Sequence, residues 1–255
     1  TKYKHNERHL RRSFYFVILK YMAKQAIRKA LSLSKTFKAK KTISSINDGD
    51  YLIGDVPYQC QFATPELAKD ILEKRVEAKN DPNWAIFGFK TKEESEYWTW
   101  RDCGVCCLKM ALDFYGTKET IAKLVGDGVV LGGYDVEKDS GWYYKPLLEL
   151  AKKYGLHGFI SAYLSKYELA KNVLDKRFVI ASVNPSIIRL DKEMKSTQKS
   201  GHLVLVIGFK LKNKKIEGFY INNPSGKVVE TQKKAFIPIK TFTKAYGERG
   251  IVISQ

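Results

Sequence analysis

The chain has no apolar run near its start longer than Phe14 to Leu19, far short of the ~20 residues that a membrane-spanning helix needs. It also lacks cysteines spaced as a disulfide framework. Of four cysteines, Cys103, Cys106 and Cys107 fall within five residues and Cys60 stands apart, a pattern that points to a reduced compartment. Histidine is scarce, with four in 255 residues. No Cys/His pair repeats at a metal-ligand spacing, so neither a metal nor another cofactor is expected. No repeat at a solenoid period is present, which excludes a stacked-repeat architecture. Acidic residues are nearly missing from the first 41 positions, where 13 Lys or Arg meet one acid, Glu7, for a local balance of +12. The remainder holds 32 basic against 26 acidic residues, so most of the formal charge of +18 belongs to an N-terminal arm. An anionic membrane surface or a nucleic acid is the partner class such charge supports, beside a plain solvated prefix.

Hydrophobic residues make up 44% of the chain and aromatics 13%, enough for a sizeable core. Residues 10–33 read as an amphipathic helix. Tyr15, Leu19, Met22, Ala26, Ala30 and Leu33 form one stripe, and Lys20, Lys24 and Arg28 another. From Lys35 to Asp50 the polar composition predicts a loop, which sets a boundary between an arm at 1–47 and a main domain at 48–255. Thr64-Pro65-Glu66 predicts a helix start with Thr64 as N-cap, running to Lys79. Thr91 with Glu94 forms a capping-box pair. Helices are expected at 103–115, 118–125, 142–154 and 166–175. The pattern then turns to β-branched and aromatic runs at Phe178–Val183, His202–Phe209, Glu217–Asn222 and Ile251–Ser254, with a hairpin-like break at Lys212-Asn213-Lys214. Helices first and strands second predict an α+β fold with an antiparallel sheet in the second half.

Cys103 opens a helix, where unpaired backbone N–H groups and the helix dipole favour a thiolate. A backbone N–H at that turn can also donate to a developing oxyanion. Gly104 lets a substrate chain approach closely. A cysteine at a helix start is, taken alone, more often a small buried hydrophobe. Gly201-His202-Leu203-Val204-Leu205-Val206 adds a histidine at the first residue of an apolar strand. Asn222-Asn223-Pro224 closes the next strand, where a side-chain amide can fix the imidazole tautomer. Cysteine, histidine and asparagine from three separated segments supply a nucleophile, a base and an orienting group. Cys103-Gly104-Val105-Cys106 also carries a spacing in which the second cysteine would react.

Asp102-Cys103-Gly104-Val105-Cys106-Cys107-Leu108-Lys109-Met110-Ala111-Leu112, with Tyr115-Gly116 ending the helix, resembles the active-site block of the papain-like double-glycine leader peptidases of bacterial bacteriocin exporters and their stand-alone relatives. Ser140-Gly141-Trp142 through Tyr154-Gly155-Leu156 is similar to the middle block of that family. Gly201-His202 and Asn223-Pro224 resemble its histidine and Asp-Pro blocks, with Asn in place of Asp. The resemblance spans roughly 55–255. It implies a papain-like fold with Cys103 as nucleophile rather than Cys106 or Cys107, His202 as base and acid, and Asn223 as its orienting group. The resting pair is then expected as Cys103 thiolate with His202 imidazolium. The family's oxyanion glutamine is missing six residues before Cys103, where Tyr97 stands. Val56-Pro57-Tyr58-Gln59-Cys60-Gln61 resembles the segment that carries it, with Gln61 first and Gln59 second as the candidate and residues 62–98 as an insertion. Trp98, Trp100, Trp142 and Tyr143, with Gly104 and Gly201, are the candidates for lining a substrate cleft, core packing being the alternative for each aromatic.

The resemblance implies a cysteine peptidase acting on a peptide or protein through a thioester. An acyltransferase or deamidase on the same triad, or a non-catalytic peptidase-like binding module, are the other readings. The chain starts at Thr1 rather than Met, so a preceding targeting segment is compatible with it. The expected location is cytoplasmic or membrane-associated, with secretion still compatible.

Overall fold

The computed structural model describes residues 30–188 and 199–255, together with Tyr15 and Met22. The helix expected over 10–33 therefore lies largely outside the described residues, although Tyr15, Met22 and 30–33 are helical. Helix α1, residues 30–45, runs on where the polar composition predicts a loop. Its inner face is narrow, and that is why composition hides it. Ala39 and Ile43 are buried, Ile43 in the main core. Thr36 Oγ1 lies 3.0 Å from Ser165 Oγ and 2.9 Å from Glu168 Oε2. The end of the expected arm is thus packed on the main domain.

Residues 62–98 build a small excursion. A 3-10 turn at Pro65–Leu67 leads into α2 (Ala68–Leu72), and two more 3-10 turns precede α3 (Lys92–Thr99). The single helix expected to Lys79 stops at Leu72, and Thr64 makes no cap bond. Its N–H and hydroxyl both donate to the Asp81 carboxylate, and Lys74 turns left-handed at φ 59°. The excursion has its own apolar cluster of Cys60, Phe62, Ala68, Ile71 and Ala78. Thr91 caps α3, its hydroxyl accepting from the Glu94 N–H.

Next come α4 (Cys103–Phe114), α5 (Ile121–Val130), α6 (Tyr144–Lys153) and α7 (Lys166–Leu174); α4, α6 and α7 are close to expectation, whereas α5 starts after its N-cap Thr120 and runs past the expected end at 125. Gly116 and Gly155, at φ 89° and 85°, end α4 and α6 as only glycine does cheaply. The sheet contains β1 (Gly49–Leu52), β2 (His157–Ser161), β3 (Phe178–Val183), β4 (His202–Lys212), β5 (Lys215–Asn222), β6 (Ala235–Pro238) and β7 (Tyr246–Ser254), with α8 (Ile239–Ala245) between the last two. The order is β2-β7-β3-β4-β5-β6, with β1 added to β4, and every pairing is antiparallel. This is the α+β arrangement expected, helices first and antiparallel sheet second. The turn at Asn213-Lys214, with φ 51° and 58°, closes the β4–β5 hairpin. Strands β1, β2 and β6 escape sequence reading because they are four or five residues long, and in β1 and β2 half-exposed positions blur the alternation.

Strand β4 is the centre of the site. Its first half pairs with β3, so His202 stands opposite Val183. Both strands are buried nearly throughout, because α4 and α7 pack on them. The first turn of α4 therefore meets the first residues of β4.

Candidate active site

Asp102 sits at the N-cap of α4 but makes no side-chain cap bond. It is fully buried, and burial holds its carboxyl well above the usual carboxylate range. Where charged, Asp102 opposes a thiolate on the neighbouring sulfur. Cys103 follows as the first helical residue, half-buried, on the wall of a cleft of about 750 Å³ that His202 also lines. Burial pushes the Cys103 thiol up to about 11, against the pull of the Leu203 and Gly104 backbone N–H groups.

His202 is 7% exposed. Its Nε2 donates to Asn223 Oδ1 at 2.8 Å and has Ser225 Oγ at 3.0 Å. Asn223 Oδ1 also accepts from the Ser225 N–H at 3.2 Å. With Nε2 so engaged, Nδ1 is the nitrogen left to act on a thiol. Burial lowers the His202 pKa to about 4, opposed by the Asn223 bond. Both shifts favour a neutral thiol and a neutral imidazole at rest over the expected ion pair. Helix-end stabilisation of a thiolate is outweighed by the cost of charging two buried groups.

The two asparagines at the strand end separate by role. Asn222 is spent on backbone, donating to Pro57 O and accepting from the Lys234 N–H. Asn223 meets the imidazole. Ser225, the extra partner on Nε2, was not singled out in the sequence. Its only signal there is its place two residues after Asn223.

The glutamine candidates also separate. Gln59 Nε2 donates to Cys60 O at 2.8 Å, a local contact. Gln61 is 5% exposed, and its Oε1 has no partner among the described residues. Its N–H donates to Pro224 O at 2.9 Å, and Cys60 Sγ lies 3.2 Å from the same oxygen. Tyr58 OH donates to Asn223 O at 2.8 Å. The 58–61 segment is therefore pinned to the Asn223-Pro224 turn, although Gln61 itself does not line the cleft.

Cys106 and Cys107 have no exposed surface, and burial pushes both thiols far up. Cys107 Sγ donates to Leu203 O at 3.5 Å. Trp100, Trp142, Tyr143 and Gly201 line the cleft. Trp142 does so as a fixed wall, with its Nε1 donating to Arg101 O at 2.9 Å. Two expectations need correction. Trp98 is buried against Tyr134 and Trp142 and is not part of the lining. Gly104 is buried too, and a Cβ there would meet Leu203 Cδ1 at 2.9 Å and Leu147 Cδ2 at 3.2 Å. Its missing side chain makes room for Leu203 of β4, not for a substrate chain.

The family model described as the Peptidase_C39 like family matches residues 54–252. Among solved structures, the chain is similar to a Bacillus anthracis protein described as a C39-like peptidase, at 18% identity and a TM-score of 0.49, over 82% of this chain and 98% of that one. It is also similar to a double glycine motif protease from an AMS/PCAT transporter in complex with the leader peptide, at 20% identity and a TM-score of 0.38, over 60% and 84%. A third is the peptidase domain of Streptococcus ComA, a bi-functional ABC transporter, at 18% identity and a TM-score of 0.40, over 60% and 91%. Among curated proteins no match is found.

Proposed function

This chain belongs to the Peptidase_C39 like family, and from that premise we propose that it is a cysteine peptidase in which Cys103, His202 and Asn223 form the catalytic triad. The observation that carries this reading is the 2.8 Å bond from His202 Nε2 to Asn223 Oδ1, with Cys103 on the same cleft wall. As the Cys103 sulfur attacks the carbonyl carbon of a peptide, His202 Nδ1 takes the thiol proton. The Cys103 backbone N–H holds the oxyanion, and Gln61, outside the cleft lining, takes no part in this step. His202 then gives its proton to the leaving amine, and a thioester remains. Water, deprotonated by His202, releases the acid and restores the thiol.

The test is incubation of the full chain with a peptide library and with a peptide bearing a thiol-reactive electrophile, followed by mass mapping. Cleavage together with an adduct on Cys103 supports the reading. A peptide joined to an added amine would indicate acyl transfer on the same triad. Neither cleavage nor adduct would leave a binding module.

The neutral resting pair fixes a pH profile. His202 must be unprotonated to act as base, so kcat/KM falls as pH drops through about 4. Cys103 must supply the proton that His202 hands to the amine, so activity falls again as pH rises through about 11. A plateau between these limits is expected. Iodoacetamide should label Cys103 slowly at pH 6 and faster toward pH 11. Rapid labelling at pH 6 would mean that the ion pair exists at rest.

The basic arm docks on an anionic lipid surface in this reading. On α1, Leu33 and Phe37 are 64% and 70% exposed, one turn apart, with Lys40 and Lys41 beyond them. No described helix is long and apolar enough to cross a membrane, so the contact would be interfacial. Co-sedimentation with vesicles containing phosphatidylserine is expected, weakening as salt rises from 50 to 500 mM. Binding to neutral and anionic vesicles alike would count against it, and capture of nucleic acid instead would reassign the partner.

A further inference from the structure

Strands β3 and β7 pair regularly from Phe178↔Ile253 to Ala181↔Gly250, and pair again at Val183↔Tyr246. Between those two points Ser182 alone faces residues 247–249, so β7 bulges outward there. Bulges of this kind kink a strand and re-aim its side chains. This one is fixed on both sides. Glu248 is left-handed at φ 52°, and its carbonyl accepts from the Leu164 N–H at 2.6 Å. Gly247 lies so close to the Lys199 carbonyl that a Cβ would sit 2.4 Å from it.

The result is that Arg249 lines the same cleft as Cys103 and His202. The other arginine of the cleft, Arg101, is saturated. It grips Asp139 through two bonds of 2.9 and 2.7 Å and donates to Tyr97 O at 2.8 Å. Arg249 has no hydrogen bond or ion pair to any described residue. Among the described lining residues Arg101 and Asp139 pair with each other, which leaves Arg249 as the remaining side chain of fixed charge. Trp100 and Tyr143 wall the cleft with aromatic surface, against which the rest of a bound peptide can pack. A half-buried guanidinium without a carboxylate among the described residues is a fork shaped to take one.

We propose that Arg249 recognises a carboxylate on the peptide substrate and so sets a preference for acidic substrates. This rests on the reading of the chain as a peptidase. The carboxylate can come from an Asp or Glu side chain near the cleaved bond or from a free C-terminus, and matched peptides distinguish the two. The full chain is assayed on pairs differing only as Glu against Gln at each position, and as C-terminal acid against amide. The expected result is a kcat/KM ratio of roughly tenfold or more for the charged member at one site. That ratio should collapse toward one in Arg249→Gln and fall below one in Arg249→Glu. A side-chain preference and a terminal preference each support the proposal and name the source. Equal rates, or a preference that survives Arg249→Gln, overturn it. If no peptide is cleaved, the peptidase reading fails by itself. The same pairs are then compared by fluorescence anisotropy for binding to the Cys103→Ala chain, where equal affinities overturn the proposal and a charged preference lost with Arg249→Gln upholds it.

Discussion

Cys103→Ala is expected to lower kcat/KM on a cleaved peptide by on the order of 10⁴-fold or more, since nothing replaces a lost nucleophile. Cys106→Ala and Cys107→Ala are expected to keep most of the activity. The contrast follows from position. All three thiols sit on the first turns of α4, yet Cys103 alone among them reaches the cleft, and Cys106 and Cys107 have no exposed surface. Steady-state kinetics read beside circular dichroism would check this. Full turnover by a folded Cys103→Ala chain would end the assignment. Loss of turnover by a folded Cys106→Ala chain would move the nucleophile to the other cysteine of the Cys-Gly-Val-Cys run.

Gly104→Val is expected to be the most damaging change to a residue that touches no substrate. The added methyls would press on Leu203 and Leu147, where a Cβ alone already comes within 2.9 and 3.2 Å. Overpacking of this kind costs about 1–3 kcal/mol. Leu203 follows His202 directly, and its N–H meets the Cys103 thiol. Pushing Leu203 away therefore also moves base from nucleophile, and a loss of roughly 100-fold in kcat/KM is expected from an ångström of misplacement. Adding Leu203→Ala should restore much of both stability and activity. If Gly104 instead served substrate approach, stability would not change and Leu203→Ala would rescue nothing. A double-mutant cycle by urea unfolding and kinetics separates the two.

The long, strongly patterned elements were legible in the sequence. Phe178–Val183 is a strand with the bounds its β-branched run predicts, and Thr91 and Gly155 mark helix ends where local chemistry puts them. Elements whose signal was tertiary were not legible. Helix α1 hides its buried face, Ala39 and Ile43, among lysines and serines, and the helix after Thr64 stops at Leu72, two residues before the left-handed Lys74, while Asp81, seventeen residues on, takes the Thr64 hydroxyl.

The sequence by itself determined the types of the chemical groups: a cysteine opening a helix, a histidine opening an apolar strand and an asparagine closing the next. These are local facts, set by capping, periodicity and β-branching over a few residues. Tertiary structure alone decided which of the rivals stand together. It gave Asn223 rather than Asn222 to the imidazole, spent Gln59 on a neighbouring carbonyl, and filled the space over Gly104 with Leu203. It decided the charge state too. A helix end pulls a thiol toward thiolate, but burial by elements distant in the chain pushes Cys103 up and His202 down. Desolvation depends on everything packed around a group, which no local stretch of sequence encodes.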